Sequence, residues 1–183
     1  MSDTKKEEYN LLSNKSQLTR KIQIHMSLIG DNIMQLLKKK LTLDLEGRCS
    51  IEGYVLPNSI EVITYSSGSL VKSNVEFTTV FECSIINPVE GMLINAVAEN
   101  ITKAGIKAKV PGEYSPLVIF IARDHNYSNQ KFNNIKENDE ILVKVIGQRF
   151  ELNDTYISVI GEVVEKKIEK KKRSTKPKLI LKD

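Results

Sequence analysis

The stretches PVEGMLINAVAENITKAGIKAKVP (residues 88–111), SPLVIFIARDH (115–125) and FNNIKENDEILVKVIGQRFELNDTYISVIGEV (132–163) decide the fold of this chain. Asn100 and Gly105 punctuate the first two strands, and Leu117 to Ile121 is a short apolar third. A polar connection follows. Phe132 and the turn Lys136-Glu137-Asn138-Asp139 then lead into a long strand, Glu140 to Phe150. Leu152-Asn153-Asp154 turns the chain into a last strand, Tyr156 to Val164. Alternating apolar residues bounded by Asn, Asp and Gly are the signal of half-buried strands joined by tight turns. Residues 88–164 therefore read as one small β-barrel.

Five strands with one helical insert after the third is the order of an OB-fold, a frame that mostly binds single-stranded nucleic acid. The pattern also resembles the S1-type RNA-binding domain. It has a glycine near the start of the first strand and a glycine turn into the second. A short apolar third strand follows, then Phe and Asn-Asp before the fourth.

The chain has 183 residues, room for one large or two small domains, and 40% hydrophobic content supports a packed core. No apolar run reaches the roughly 18 residues a membrane helix needs, and no membrane partner is expected. The start MSDTKKEEYN is charged and has no apolar signal region, which predicts an intracellular protein. Cys49 and Cys83 stand far apart without a Cys-x-x-Cys partner, so they read as reduced strand residues rather than a metal site. Residues 165–183 carry nine Lys/Arg against three Asp/Glu, a net of +6. The whole chain is +4, so residues 1–164 sum to −2. The basic character belongs to the tail, and any nucleic-acid affinity of the body must come from local patches or a partner.

Upstream of the barrel, residues 1–17 are polar and read as a flexible N-terminus. Leu18 to Met26 reads as an opening strand. Between Ser27 and Lys40, Ile29, Ile33, Leu36, Leu37 and Leu41 fall at helical spacing, with Asp31 suited to the first turn and Lys38, Lys39 and Lys40 to the last. Arg48 to Leu56, Ile60 to Tyr65 and Val75 to Ile86 read as three strands. The expected fold class is α+β. A small N-terminal domain of helix on antiparallel sheet (18–87) precedes the S1-type OB barrel (88–164) and a basic, disordered tail (165–183). Asn87-Pro88 leaves almost no linker between the two, which predicts a rigid unit.

The order of these parts carries a family resemblance. A glycine and a lysine-rich helix (Gly30, Lys38 to Lys40) lead to Leu45-Glu46-Gly47-Arg48-Cys49. The strand Gly53-Tyr54-Val55 follows, then a ribbon ending Phe81-Glu82-Cys83, then Pro88-Val89-Glu90-Gly91-Met92 into the barrel. This arrangement resembles the larger stalk subunit of multisubunit DNA-directed RNA polymerases, which is the seventh subunit of RNA polymerase II and has an archaeal counterpart. The resemblance covers about residues 20–164. Its departures are a short, Ser-rich turn after Tyr65 and the added basic tail. The Lys-, Asn- and Ile-rich composition suggests an AT-rich genome, and with the divergence it points by analogy to a large DNA virus.

The resemblance implies partners and surfaces. The partners are polymerase core subunits, a smaller stalk subunit where one exists, and single-stranded RNA. It implies work at the site of transcription: the nucleus or, for a viral protein, a cytoplasmic factory and the virion. The tip of the N-terminal domain, formed by loops Leu43 to Gly47, Pro57 to Ser59 and Ser66 to Lys72, would dock on the core near the clamp. The partner-binding candidates are Gly47, Gly53, Tyr54, Ser66, Ser67 and Gly68. On the barrel, Lys103, Lys107 and Lys109 alternate along the second strand and so share a face, read either as an RNA contact or as a solvated surface. Phe120, within Val118-Ile119-Phe120-Ile121, faces either RNA or core. Arg123, His125, Lys144 and Arg149 complete the RNA-binding candidates. With one stacking aromatic at most, binding is expected to be modest and tolerant of sequence.

No catalytic constellation emerges. Asp124-His125 reads as a surface turn, and the chain has two histidines with no nucleophile arranged to use either. No phosphate-cradling loop, Mg²⁺-binding carboxylate motif or zinc spacing appears, so neither metal nor cofactor is expected. The leading reading is a non-catalytic polymerase subunit. The alternative is a free-standing S1-type module, a translation or RNA-decay factor, which would not need the N-terminal α+β half. The uneven charge sets a first expected outcome. Deleting residues 166–183 should weaken binding to both RNA and duplex DNA and flatten the salt dependence. Fluorescence anisotropy at several salt concentrations measures it, and an unchanged slope would show that the tail is not the main polyanion contact.

Overall fold

The computed structural model describes residues 12–112, 115–126 and 130–164; the tail expected to be disordered lies outside this part. The N-terminal half is organised by one long strand, β6 (Asn74–Ile86). Its alternation buries Phe77, Thr79, Phe81, Cys83 and Ile85 on one face. On one side β6 pairs along its whole length with β1 (Ser13–His25), from Ser13↔Ile86 to His25↔Asn74. On the other side it pairs in turn with three short strands. These are β3 (Gly53–Val55) at the Ile86 end, β4 (Glu61–Tyr65) in the middle and β5 (Ser69–Val71) at the Asn74 end. The pair β2 (Cys49–Ser50) extends the sheet from β3.

Helix α1 (Ile33–Leu45) covers the buried face. Leu37 and Leu41 pack there with Ile22, Ile24, Phe77 and Phe81. The expected apolar stripe is thus the one used, but the helix starts and ends later than the sequence suggested. Met26–Leu28 forms a single 3-10 turn, and Asn32 caps α1 by accepting from the Gln35 amide at 3.2 Å. Asp31 therefore precedes the cap, and Lys38 to Lys40 sit mid-helix.

Two further boundaries differ. Residues 13–17, expected to be flexible, are strand, because β6 supplies a continuous partner ladder for them. Arg48 to Leu56, expected to be one strand, is the β2–β3 hairpin, turned at Ile51-Glu52. That turn is pinned from β1. Arg20 Nη2 lies 2.7 Å from both Glu52 carboxylate oxygens, and the Ser50 hydroxyl donates to Glu52 at 2.9 Å. Burial by itself would raise the Glu52 carboxyl, but the hydrogen bonds from Arg20 and Ser50 outweigh it and hold the group below its ordinary value.

The C-terminal half closes into a five-stranded barrel, in the order β10 (Glu140–Arg149), β11 (Ile157–Val163), β9 (Leu117–Ala122), β8 (Gly105–Lys109), β7 (Leu93–Ile101) and back to β10. Only β9 and β11 run parallel. Short helices α2 (Arg123–Asn126) and α3 (Gln130–Asn134) fill the connection from β9 to β10. Five closed strands with this insert fit an OB-fold. Inward alternation fills the barrel with Ile94, Ile106, Ile119, Ile121, Val143 and Val159, and Phe132 joins this core from α3. Buried Asn126 ties the end: its amide donates to the Ala122 carbonyl at 2.9 Å and its carbonyl oxygen accepts from the Val163 amide at 3.0 Å.

The sheet and the barrel share a core. Cys49, Tyr54 and Ile86 belong to the same buried cluster as the barrel interior. The Cys49 amide donates to the Asp154 carbonyl at 2.8 Å, and the Asn153 amide donates to the Cys49 carbonyl at 2.9 Å. Gln148 Nε2 donates to Asn87 Oδ1 at 2.6 Å across the same junction. Cys49 and Cys83 are both buried and unbridged, and burial pushes each thiol up to about 11.

Gly53 makes the junction possible. Its φ is +134°, and a Cβ there would lie 2.6 Å from the Ile86 carbonyl oxygen. Strain and overpacking together set the expected cost of Gly53→Ala at about 3 kcal/mol. Gly30→Ala, where an added Cβ meets nothing within 4 Å, should shift stability by less than about 0.5 kcal/mol. Urea unfolding of the two variants measures the difference, and coincident midpoints would contradict the close approach.

Candidate nucleic-acid interface

The pairing register lays two rows of residues across the outside of the barrel. One row runs Asn100, Lys107, Phe120, Ile160, Gly147. The other runs Val97, Lys109, Val118, Ser158, Arg149. Cross-strand neighbours share a face, so each row is a contiguous strip. Phe120 is 38% exposed while Ile119 and Ile121 are buried, so the alternating run points Phe120 outward. Ile160, its neighbour on β11, is 45% exposed. Phe120 and Ile160 thus form an apolar platform beside Lys107, and Gly147 leaves its far side open. The ring of Phe120 can stack a base, and Ile160 and Val118 widen the apolar surface under it.

The cations around the platform are mostly partnered. Lys107 and Lys109 both contact Glu99, at 3.3 and 3.2 Å. Lys144 pairs with Glu162 at 3.1 Å, and Arg149 lies 3.4 Å from Glu151. Hydrogen bonds from Lys109 and then Lys107 hold the Glu99 carboxyl below its ordinary value. The cations are about half exposed or more and every carboxylate is more than a third exposed, so screening keeps each pair weak and exchangeable.

Two residues fall elsewhere than expected. Lys103 is not on β8 but in the turn before it. It is exposed there, and its carbonyl accepts from Arg123 Nε at 2.9 Å. Arg123 also stacks over the Phe132 ring, 5.4 Å from its centroid, so its guanidinium anchors the β7–β8 turn to α3. His125 is exposed on α2. Glu99, Ile160, Val118 and Ser158 escaped the sequence reading. Alternation along Tyr156 to Val164 already placed Ser158, Ile160 and Glu162 on one face, and that signal could have found them.

The partner-binding candidates separate into two groups. Tyr54 is fully buried at the junction and Gly53 lies against the Ile86 backbone, so neither is on an accessible surface. Gly47, with φ +74°, turns the chain out of α1, and its amide donates to the Val55 carbonyl at 2.9 Å. Leu43 to Gly47 and Pro57 to Ser59 lie near the barrel end of the sheet, bound through Glu46 to the Asn58 and Ile60 amides and through Leu56 to the Ser84 carbonyl. Ser66 and Ser67 are exposed, and Ser66 is fixed by two hydrogen bonds with Thr78. Gly68 packs on Val75 and Phe77. The end of the sheet away from the barrel instead carries exposed apolar residues among polar ones. Met26 and Leu28 on the 3-10 turn and Leu70 and Val71 on β5 are exposed near the β5–β6 turn, where Met26 N donates to Ser73 O at 3.0 Å. Leu28 is 63% and Leu70 72% exposed.

Among the described residues no group of three His, Cys, Asp or Glu is placed to hold a metal ion, and no helix is long and apolar enough to cross a membrane.

No family model matches the chain. Curated relatives do. Over 164 residues the chain is 26% identical to DNA-directed RNA polymerase II subunit RPB7 of Glycine max, covering 80% of this chain and 89% of that protein. It is 24% identical over 161 residues to RNA polymerase II subunit rpb7 of Schizosaccharomyces pombe, covering 76% and 89%. It is 26% identical over 167 residues to a protein of Acanthamoeba polyphaga mimivirus provisionally assigned as DNA-directed RNA polymerase subunit L376, covering 82% and 81%. The resemblance read from the motif order is to the same kind of protein, and these relatives bear it out.

The platform sets an expected outcome. Phe120→Ala should weaken binding of a short single-stranded oligoribonucleotide by about tenfold, within the ~1–3 kcal/mol a stacked base contributes. The salt slope should not change, because stacking releases no counterions. Anisotropy titrations at several salt concentrations read both quantities, and an unaltered affinity would remove Phe120 from the interface.

Proposed function

We propose that this chain is a non-catalytic stalk subunit of a DNA-directed RNA polymerase, docking on the enzyme core through its N-terminal half and meeting single-stranded RNA with its barrel. One observation carries the reading: similarity to RNA polymerase subunits extends over about four fifths of the chain, through both halves and in one order. Two physical features support it. The apolar end of the N-terminal sheet is a surface without use in a lone protein. The outward platform of the barrel lies in the other half, so a docked chain can keep it open to a strand.

In this reading residues 18–87 form the docking domain, and the exposed apolar side chains Met26, Leu28, Leu70 and Val71 carry the contact. Residues 88–164 form an S1-type barrel that reads backbone and stacked base, not sequence. The catalytic carboxylates belong to a core subunit. A smaller stalk subunit, where the enzyme has one, is a further partner. The protein works at the site of transcription. The mimivirus relative supports a viral source, which would put that site in a viral factory. The free-standing RNA-binding module is the weaker reading, since it leaves the apolar end unexplained.

The test is co-purification. Tagged protein recovered under mild salt from the cells that make it should bring the largest polymerase subunits with it, identified by mass spectrometry. Leu28→Asp with Leu70→Asp should lower that recovery at least about tenfold, because each buried apolar anchor contributes ~1.5–3 kcal/mol. RNA binding by the double variant should be unchanged. Recovery without any polymerase subunit would refute the proposal.

A further inference from the structure

Strand β7 carries one residue more than β8 in their shared ladder. Ala98 pairs with Ala108 and Asn100 with Lys107, leaving Glu99 without a partner opposite it. A bulge of this kind re-aims the extra side chain. Here the Glu99 carboxylate is set between two ammonium groups, with Oε2 3.3 Å from Lys107 Nζ and Oε1 3.2 Å from Lys109 Nζ. The three side chains border a groove of about 190 Å³ that Gly112, Ser115 and Val118 also line. Lys107 and Lys109 are the neighbours, across β8–β9, of Phe120 and Val118.

A phosphodiester is the natural competitor for that position. Like a carboxylate it carries one negative charge on two outer oxygens, and paired ammonium groups suit both. With Glu99 in place the trio has a net charge of +1. A phosphate that takes the lysines must displace the carboxylate and then sits beside it, at an electrostatic cost. A single strand can offset that cost by stacking a base on Phe120. A duplex, whose bases are already stacked and paired, cannot.

We infer that Glu99 fills the seat of a backbone phosphodiester between Lys107 and Lys109, and that displacing it makes the barrel face selective for unpaired strands over duplex. The inference rests on the RNA-contact reading above and assigns Glu99 as the residue that sets the selectivity.

The experiment uses the full chain, with Glu99→Gln and, as a control, Glu82→Gln, which removes the same charge from the Lys15 pair on the N-terminal sheet. Binding of a short single-stranded oligoribonucleotide and of a duplex DNA of equal length is followed by anisotropy over a range of salt. Thermal unfolding confirms that each variant is folded. Glu99→Gln should tighten duplex binding about tenfold and single-strand binding less. The preference for single strands should fall several-fold, and the salt slope should steepen by about one to two counterions. Glu82→Gln should leave the preference as it is. If wild-type protein binds single strands and Glu99→Gln behaves like Glu82→Gln, the seat is wrong and the RNA reading survives. If neither wild type nor Glu99→Gln prefers single strands to duplex, both readings fall. If inorganic phosphate at matched ionic strength releases duplex and single strand from wild type equally, the seat reads the anion alone and selectivity does not come from Glu99.

Discussion

The absence of a side chain at residue 53 is the constraint on which the two halves depend. Only a glycine lets β3 approach so close to the end of β6 at that backbone angle. The next residue, Tyr54, then turns into the barrel core beside Ile86 and Cys49. A large aromatic buried at a junction contributes more than a linker could, since burial of its surface is lost as soon as the halves part. The backbone exchange between Cys49 and residues 153–154 adds direction to that apolar contact. The apolar end of the sheet and the platform on the barrel are thereby held on one body, and whatever binds one of them fixes the orientation of the other.

The barrel face is built to be weak on its own. Three of its lysines are already matched with carboxylates of the same face, at 3.1–3.3 Å. Exposed pairs of this kind hold by a fraction of a kcal/mol to about 1 kcal/mol, so they can be exchanged for phosphate, but each exchange is nearly balanced. In the proposed RNA contact, the apolar pair Phe120 and Ile160, both outward-facing, would tip the balance. Affinity that depends on stacking rather than charge is tolerant of base identity. In that reading it suits a surface that many different strands pass, and the basic residues after 164 would supply the long-range attraction.

Much of this was legible in the residues. The barrel strands declared themselves because polar turns interrupt apolar alternation. Asn138 and Asn153, read as turn residues, both have φ of +70°, a conformation asparagine tolerates. The helix stripe was right because its burial period is intrinsic to the segment. Its ends were not, since Asn32 makes the capping bond and Asp31, expected in the first turn, lies before it. The β2–β3 hairpin was missed because Ile51-Glu52 carries none of the Gly or Asn signals of a tight turn; Arg20, thirty-two residues earlier, stabilises it instead. Residues 13–17 have no apolar pattern, and their strand exists only because β6 offers a partner. Tyr54 read as a surface candidate because burial against another element leaves no local mark in sequence. Glu99 was invisible for a similar reason: a bulge is a property of two strands in register, and neither strand shows it alone.

The uninterrupted pairing of β1 with β6 also has a mechanical meaning. From Asn74 to Ile86 the strand rises roughly 40 Å, and all thirteen of its residues are matched along β1. The hydrogen bonds of an antiparallel ladder stand perpendicular to the strands. A pull on the barrel along the axis of β6 would load every rung in shear at once, whereas a sideways pull would peel them one at a time. The protein is therefore a stiff strut in tension along its long sheet, and its weakest direction under force is across that sheet.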